Sequence, residues 1–155
     1  MDLIMRRRGM GVVEAHGGTL EVYPSSYTGL IDSIIDPQNG YTSYTSSNYA
    51  TVTASSGNRE IYFEFDTSSV PQGITITSAT CTTKVIIGGS GKNVTMFNGS
   101  SLIERKSVSP GQQTVTFVFS DLSVNKFGNL KIRIHSNNAD FKFYGATLTI
   151  NYEFN

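Results

Sequence analysis

Tryptophan is absent from the 155 residues and cysteine occurs once. A single thiol excludes a disulfide framework within the chain and any cysteine-rich metal site. Charged residues make up only 15% of the sequence, against roughly 25% in an average soluble domain. Neither sign dominates: 12 Lys and Arg face 12 Asp and Glu. That balance argues against a nucleic-acid glove and against a membrane-surface module. No apolar run approaches the roughly 18 residues that a membrane-spanning helix needs. Arg6, Arg7 and Arg8 are not followed by an apolar core segment, which argues against a secretory leader. Gly-x-Ser-x-Gly and phosphate-loop patterns are missing as well.

Small polar and aromatic residues fill the space left by charge. The chain carries 36 Ser and Thr, 11 Asn, 8 Tyr and 9 Phe. β-Branched and aromatic side chains fit a pleated surface, while Gly, Asn and Ser suit its bends. At 16.9 kDa the chain has the size of one domain with one core.

Period-two alternation predicts a series of short strands. The first covers Thr19 to Tyr23 and is closed by Pro24; a second spans Leu30 to Ile35, before the turn Asp36-Pro37-Gln38-Asn39-Gly40. Tyr41 to Asn48 has no burial pattern and reads as a long loop. Asn48 to Ala54 and Arg59 to Asp66 read as a hairpin joined by Ser55-Ser56-Gly57-Asn58. Within it, Ile61, Phe63 and Phe65 point one way and Glu60, Tyr62, Glu64 and Asp66 the other. In Ile74 to Ile87 the apolar parity slips by one residue, which predicts a bulge near Thr77-Ser78. Further strands are expected at Asn93 to Phe97, Leu102 to Lys106, Gln113 to Phe119, Leu130 to His135 and Phe141 to Phe154. Asp121 to Val124 reads as one helical turn capped by Ser120 or Asp121. The expected fold is all-β: a single antiparallel β-sandwich of jelly-roll type over residues 19–155, preceded by an extended N-terminal arm over residues 1–18.

Two segments add a resemblance. Phe65-Asp66-Thr67-Ser68-Ser69-Val70-Pro71-Gln72-Gly73-Ile74-Thr75-Ile76-Thr77-Ser78-Ala79-Thr80 resembles a segment of DNRLRE-type and carbohydrate-binding-module-like β-sandwiches, found on bacterial surface proteins and in phage particles. Phe143-Tyr144-Gly145-Ala146-Thr147-Leu148-Thr149-Ile150-Asn151-Tyr152-Glu153 looks like the closing strand of small phage virion proteins. The resemblance implies a non-enzymatic particle component: a head decoration or fibre, a neck protein or a tail attachment. It carries over no catalytic residue and no cofactor. The implied partners are capsid, portal, neck or tail proteins and sister subunits, and the implied location is the virion, after synthesis in the host cytoplasm. A carbohydrate- or receptor-binding module, on a phage tail or a bacterial surface, is the alternative.

Candidate sites follow from residue chemistry. Tyr27, Tyr41, Tyr44 and Tyr49, set among Ser, Thr, Asn and Gly, suit a glycan or a partner surface, because tyrosine offers a flat amphipathic face at low entropic cost. The same rings would equally serve to cover the sandwich end or a subunit contact. Glu60, Glu64 and Asp66 form an acidic stripe with the strand spacing of paired hydrolytic carboxylates, read first as a solvated face. Lys131, Arg133 and His135 form a stripe of opposite sign that can pair with it across strands. His16 and His135 stand alone, and Asp32 and Asp36 lack the further oxygen ligands a calcium site requires, so no metal is expected. In the arm, Arg6, Arg7, Arg8, Met10, Val12 and Val13 are the expected anchor to a neighbouring protein; three charges on a neutral chain give too small an electrostatic term for nucleic acid.

Overall fold

A computed structural model describes residues 16–29, 49–52, 58–88, 92–135 and 141–155. Ten strands are present among them: β1 (Gly17–Val22), β2 (Thr28–Gly29), β3 (Ala50–Val52), β4 (Asn58–Phe63), β5 (Ile74–Ile87), β6 (Lys92–Asn98), β7 (Ser101–Val108), β8 (Gly111–Val118), β9 (Leu130–His135) and β10 (Phe141–Phe154). They form two antiparallel five-stranded sheets. The first runs β1-β10-β5-β8, with β3 also paired to β10; the second runs β2-β4-β9-β6-β7. From β4 onward the chain moves between the sheets as it advances, which gives the jelly-roll sandwich.

Alternation supplies the core. Ala79, Cys81, Val85 and Ile87 of β5, Val115 and Phe117 of β8, and Ala146, Leu148 and Ile150 of β10 face Ile61 and Phe63 of β4, Val94 and Met96 of β6, and Leu130 and Ile132 of β9. Burying each large apolar side chain contributes roughly 1.5–3 kcal/mol, so two such layers hold together without a disulfide. Cys81 is fully buried, and desolvation pushes its thiol well above the ordinary value, as befits an inert core residue.

The expected parity slip falls where the sequence places it. Asn151 pairs with Ser78 and Tyr152 with Ile76, so Thr77 is the extra residue of a bulge. The corner before β5 is a chain of short bonds: Asp66 Oδ1 accepts the Ser68 N–H at 2.9 Å, the Val70 N–H donates to the Thr67 carbonyl, and Gly73 sits at φ +69°. It carries the chain from the second sheet to the first.

Three expectations change. β3 and β4 are not a hairpin: β3 pairs with β10 in the first sheet, while β4 pairs with β2 and β9 in the second. Alternation identifies strands, not partners, and a short link can cross between layers as well as fold back. The helical turn lies later than expected, as a 3-10 turn at Val124–Phe127, and Ser123 at its start makes no side-chain cap bond. Asp121 instead accepts the Ser123 N–H at 3.0 Å. Burial of Phe127, edge-on to Phe119 at 5.0 Å, fixes where the turn falls. Finally, pairing of β1 begins at Gly17, two residues before the expected boundary. A Cβ at Gly17 would lie 1.9 Å from the Tyr152 carbonyl oxygen, and one at Gly18 would lie 2.8 Å from the Tyr152 hydroxyl. Those glycines serve close strand approach rather than a loose arm. The expected strand at Leu30 to Ile35 and the loop at Tyr41 to Asn48 lie outside the described residues.

Candidate functional site

The outward residues of the second sheet assemble into ranks across its strands. Register aligns Glu60, Arg133, Thr95 and Arg105 in one rank. The next contains Thr28, Tyr62, Lys131, Phe97 and Leu102. All of these side chains oppose the core set because Ile61, Ile132, Val94 and Met96 point inward.

Glu60 is the hub. Its Oε1 accepts the Tyr62 hydroxyl at 2.7 Å. Its Oε2 accepts Arg133 Nε at 2.9 Å, with Arg133 Nη2 at 2.9 Å and Lys131 Nζ at 3.4 Å. The Tyr62 hydrogen bond, reinforced by Arg133 and Lys131, holds the Glu60 carboxyl below the usual carboxylate range despite some desolvation. The same bond raises the Tyr62 hydroxyl. Both cations also lie over the Phe97 ring, Arg133 Cζ at 4.7 Å and Lys131 Nζ at 5.0 Å from its centroid. A ring, two cations and a carboxylate are therefore fixed relative to one another before any ligand arrives.

Beside this cluster lies a groove of about 230 Å³, lined by Ser25, Ser26, Thr28, Tyr62, Glu64 and Asn129 among others. Tyr62 remains 42% exposed there. Three local features build the groove. The Pro24–Phe65 bridge ties the Ser25-Ser26 segment against the end of β4. Gly29, at φ +118°, lets β2 approach: a Cβ would meet the Glu60 carbonyl oxygen at 2.2 Å and Tyr62 Cδ2 at 3.2 Å. Asn129 takes the left-handed conformation at φ +48°, and its carbonyl accepts the Gly99 N–H at 2.9 Å. Asn98 Nδ2 braces the same turn through the Lys126 and Gly128 carbonyls, at 3.1 and 2.7 Å. Hydroxyls, an amide, a carboxylate and one ring edge thus converge on a shallow polar surface.

The tyrosines named from sequence are dispersed. Tyr27 packs edge-on to Phe63 and Phe143, at 5.6 and 5.2 Å, and its hydroxyl accepts the Ala146 N–H at 2.8 Å. That N–H lies at the β10 bulge between the segments paired with β3 and β1, so Tyr27 plugs a gap in the first sheet. Burial drives its hydroxyl pKa upward, against the opposing effect of the Ala146 bond. Tyr49 lies against buried Tyr144, with ring centroids 5.2 Å apart, and Lys142 Nζ sits 4.8 Å from its centroid. Tyr41 and Tyr44 lie outside the described residues, as do Arg6, Arg7, Arg8, Met10, Val12 and Val13 of the arm, and Asp32 and Asp36.

The acidic stripe is divided by its partners. Glu60 pairs with Lys131 and Arg133, the cross-strand pairing expected from their opposite signs. Asp66 is held low by the Ser68 N–H and hydroxyl. Neither carboxyl has the raised value that a general acid near neutral pH requires. Among the described residues, no group of three or more His, Cys, Asp or Glu could hold a metal ion. Phe97 and the groove residues Ser25, Ser26 and Asn129 were not named as site residues from sequence. Phe97 had a readable signal, since inward Val94 and Met96 force it outward; the loop residues had none.

No family model and no curated protein matches the chain. The resemblance to DNRLRE-type and virion segments therefore rests on the quoted residues alone. Among solved structures, the chain is similar to a family two carbohydrate esterase from Clostridium thermocellum in complex with cellohexaose, at 16% identity and TM-score 0.43, covering 83% of this chain and 30% of that one. The chain thus spans about 30% of the length of that structure. It is also similar to the CBM36-1 domain of a multidomain xylanase from the hindgut metagenome of Trinervitermes trinervoides, at 11% identity and TM-score 0.46, with 86% and 96% of the two chains covered. A third is the Stig cyclase Fisc from Fischerella sp. TAU, at 15% identity and TM-score 0.46, with 92% and 79% covered. These likenesses concern architecture, and a sandwich hosts many activities, so function is argued from the site.

Proposed function

We propose that the chain is a non-enzymatic saccharide-binding module, and that its ligand lies on the outer face of the second sheet, in the groove beside Tyr62. The observation that carries this reading is the exposed Tyr62 ring, locked through its hydroxyl to Glu60 and flanked by hydroxyl, amide and carboxylate groups. A sugar presents apolar C–H faces and a rim of hydroxyls. A fixed ring covers such a face, and Ser25, Ser26, Thr28, Glu64 and Asn129 supply donors and acceptors for the rim. Because the Tyr62 ring is held in advance by Glu60, it loses little rotamer entropy on binding. The particle-component role depends on the arm, on which no described residue bears. A virion protein with this module would carry it as the surface-binding part.

Affinity electrophoresis and a glycan array with the full chain test the proposal. Tyr62→Ala should weaken binding about tenfold, the equivalent of roughly 1.4 kcal/mol, while Tyr49→Ala leaves it unchanged. Absence of any saccharide binding, or binding untouched by Tyr62→Ala, overturns the reading.

A further inference from the structure

We infer that the saccharide is acidic: one ring rests on Tyr62 while an oxyanion group borne by the same ligand is held by Arg133, Lys131 and Arg105. This inference rests on the saccharide-binding reading and adds the chemical class of the ligand.

Within these two ranks cations outnumber carboxylates although the whole chain is neutral. Arg133, Lys131 and Arg105 stand against Glu60 alone within the two ranks, and Glu60 is already occupied by the first two. Toward the described residues, Arg133 has donors to spare. A guanidinium has five N–H donors in a rigid fork, and here Nε and Nη2 turn toward Glu60 Oε2 while Nη1 makes no bond to another described residue. Stacking over Phe97 and the grip of Glu60 fix the plane of that fork, so the free edge has a set direction. Arg105 extends the same rank. It pairs in register with Thr95, which pairs in turn with Arg133, and Thr95 is buried between the two. Two arginines two strands apart, separated by about 10 Å of sheet, leave room for an anionic group between or above them.

The geometry also orders the ligand. Glu64, in the groove, is an acceptor and suits neutral hydroxyl donors, whereas Glu60 and Arg133 stand two outward positions away, beyond the Tyr62–Lys131 pair. A neutral portion at Tyr62 and an anionic portion toward β6 and β7 satisfy both ends. An oxyanion with two acceptor oxygens fits a guanidinium edge bidentately. In a saccharide polymer, that chemistry comes from a uronate carboxylate or from a bridging phosphodiester.

Calorimetric titration of the full chain with tetragalacturonate, its fully methyl-esterified form, and an oligomer of neutral hexose rings bridged by phosphodiesters distinguishes the cases. The inference expects tetragalacturonate or the phosphate oligomer to bind at least tenfold more tightly than the neutral ester. It expects that advantage to shrink at 0.5 M NaCl and to fall severalfold in Arg133→Gln. Arg105→Gln, at an exposed edge position, should reduce the same advantage without altering the thermal midpoint, which keeps the test sound if Arg133→Gln is poorly folded. Whichever of the two anions binds more tightly identifies the oxyanion. Affinity for the neutral ester equal to that for both anions overturns the inference and leaves saccharide binding standing. No binding by any of the three, together with an empty glycan array, removes both.

Discussion

The two sheets of this sandwich are built by the same alternation and present opposite chemistry to solvent. On the first, two adjacent outward ranks opposite the core set hold Thr147, Thr82 and Thr116, and Glu21, Thr149, Thr80 and Val118, with Lys84 and Lys142 towards one end of the same face. On that face the Thr82 and Thr116 hydroxyls are 3.2 Å apart, and in the rank beyond, the Thr19 hydroxyl donates to Asn151 Oδ1 at 2.7 Å and Asn151 Nδ2 donates to Ser78 at 2.8 Å. On the second sheet the corresponding ranks carry a ring, two stacked cations and a carboxylate hub. Threonine is a good strand former whose short side chain closes its hydrogen bonds locally. Long charged and aromatic side chains reach further and keep unspent valence. That difference is what favours the second face for the proposed site.

Breaking the hub should have the largest effect. Glu60→Gln leaves an acceptor for Tyr62 but removes the charge that gathers Arg133 and Lys131. A stability loss of up to about 1 kcal/mol is expected near neutral pH, as for a partly exposed ion-pair network, measured by urea denaturation. The pH dependence has a definite sign. The folded-state value of Glu60 is depressed by Tyr62, Arg133 and Lys131, so its contribution is complete above the ordinary carboxylate value of about 4.3. It is lost as pH falls through the lowered value. Wild type and Glu60→Gln should therefore differ at pH 7 and converge in strongly acid solution. A gap that persists or widens there contradicts this role. Asp66 and Asp121 are also held low, by Ser68 and Ser123 N–H groups, so the difference between variants, not the acid midpoint itself, isolates Glu60.

The first sheet should respond far less. Thr147 is only 3% exposed, and its hydroxyl has no hydrogen-bond partner among the described residues. Replacing it with the isosteric valine removes a desolvated polar group at no cost in volume. Thr147→Val should thus be neutral, or stabilising by up to about 1 kcal/mol, in the same urea experiment. A clear loss would mean that this hydroxyl has an unrecognised partner and that the two faces are less different than described.

Much of the frame was legible because it depends on local alternation. The burial of Ile61, Phe63 and Phe65, the bulge at Thr77 and the single long closing strand all follow from side-chain parity. So did the attraction between Glu60 and the Lys131–Arg133 stripe, since outward residues of opposite sign on neighbouring strands meet if the register allows. What sequence left hidden depends on which strands are neighbours. The separation of β3 from β4 into different sheets, the placement of Phe97 opposite Lys131, and the groove formed by Ser25, Ser26 and Asn129 are products of topology. Tyr27 illustrates the ambiguity of a tyrosine in a polar loop. Its composition suits a binding surface, yet a gap in the β10 pairing makes it a plug.

Chemical-shift mapping by nuclear magnetic resonance addresses the central claim most directly, with tetragalacturonate, or whichever saccharide the array returns, added to isotopically labelled protein. Perturbations gathered at Tyr62, Lys131, Arg133 and Phe97, with Thr80, Thr82 and Thr116 silent, are the predicted result. Shifts centred on the threonine ranks instead would contradict the account.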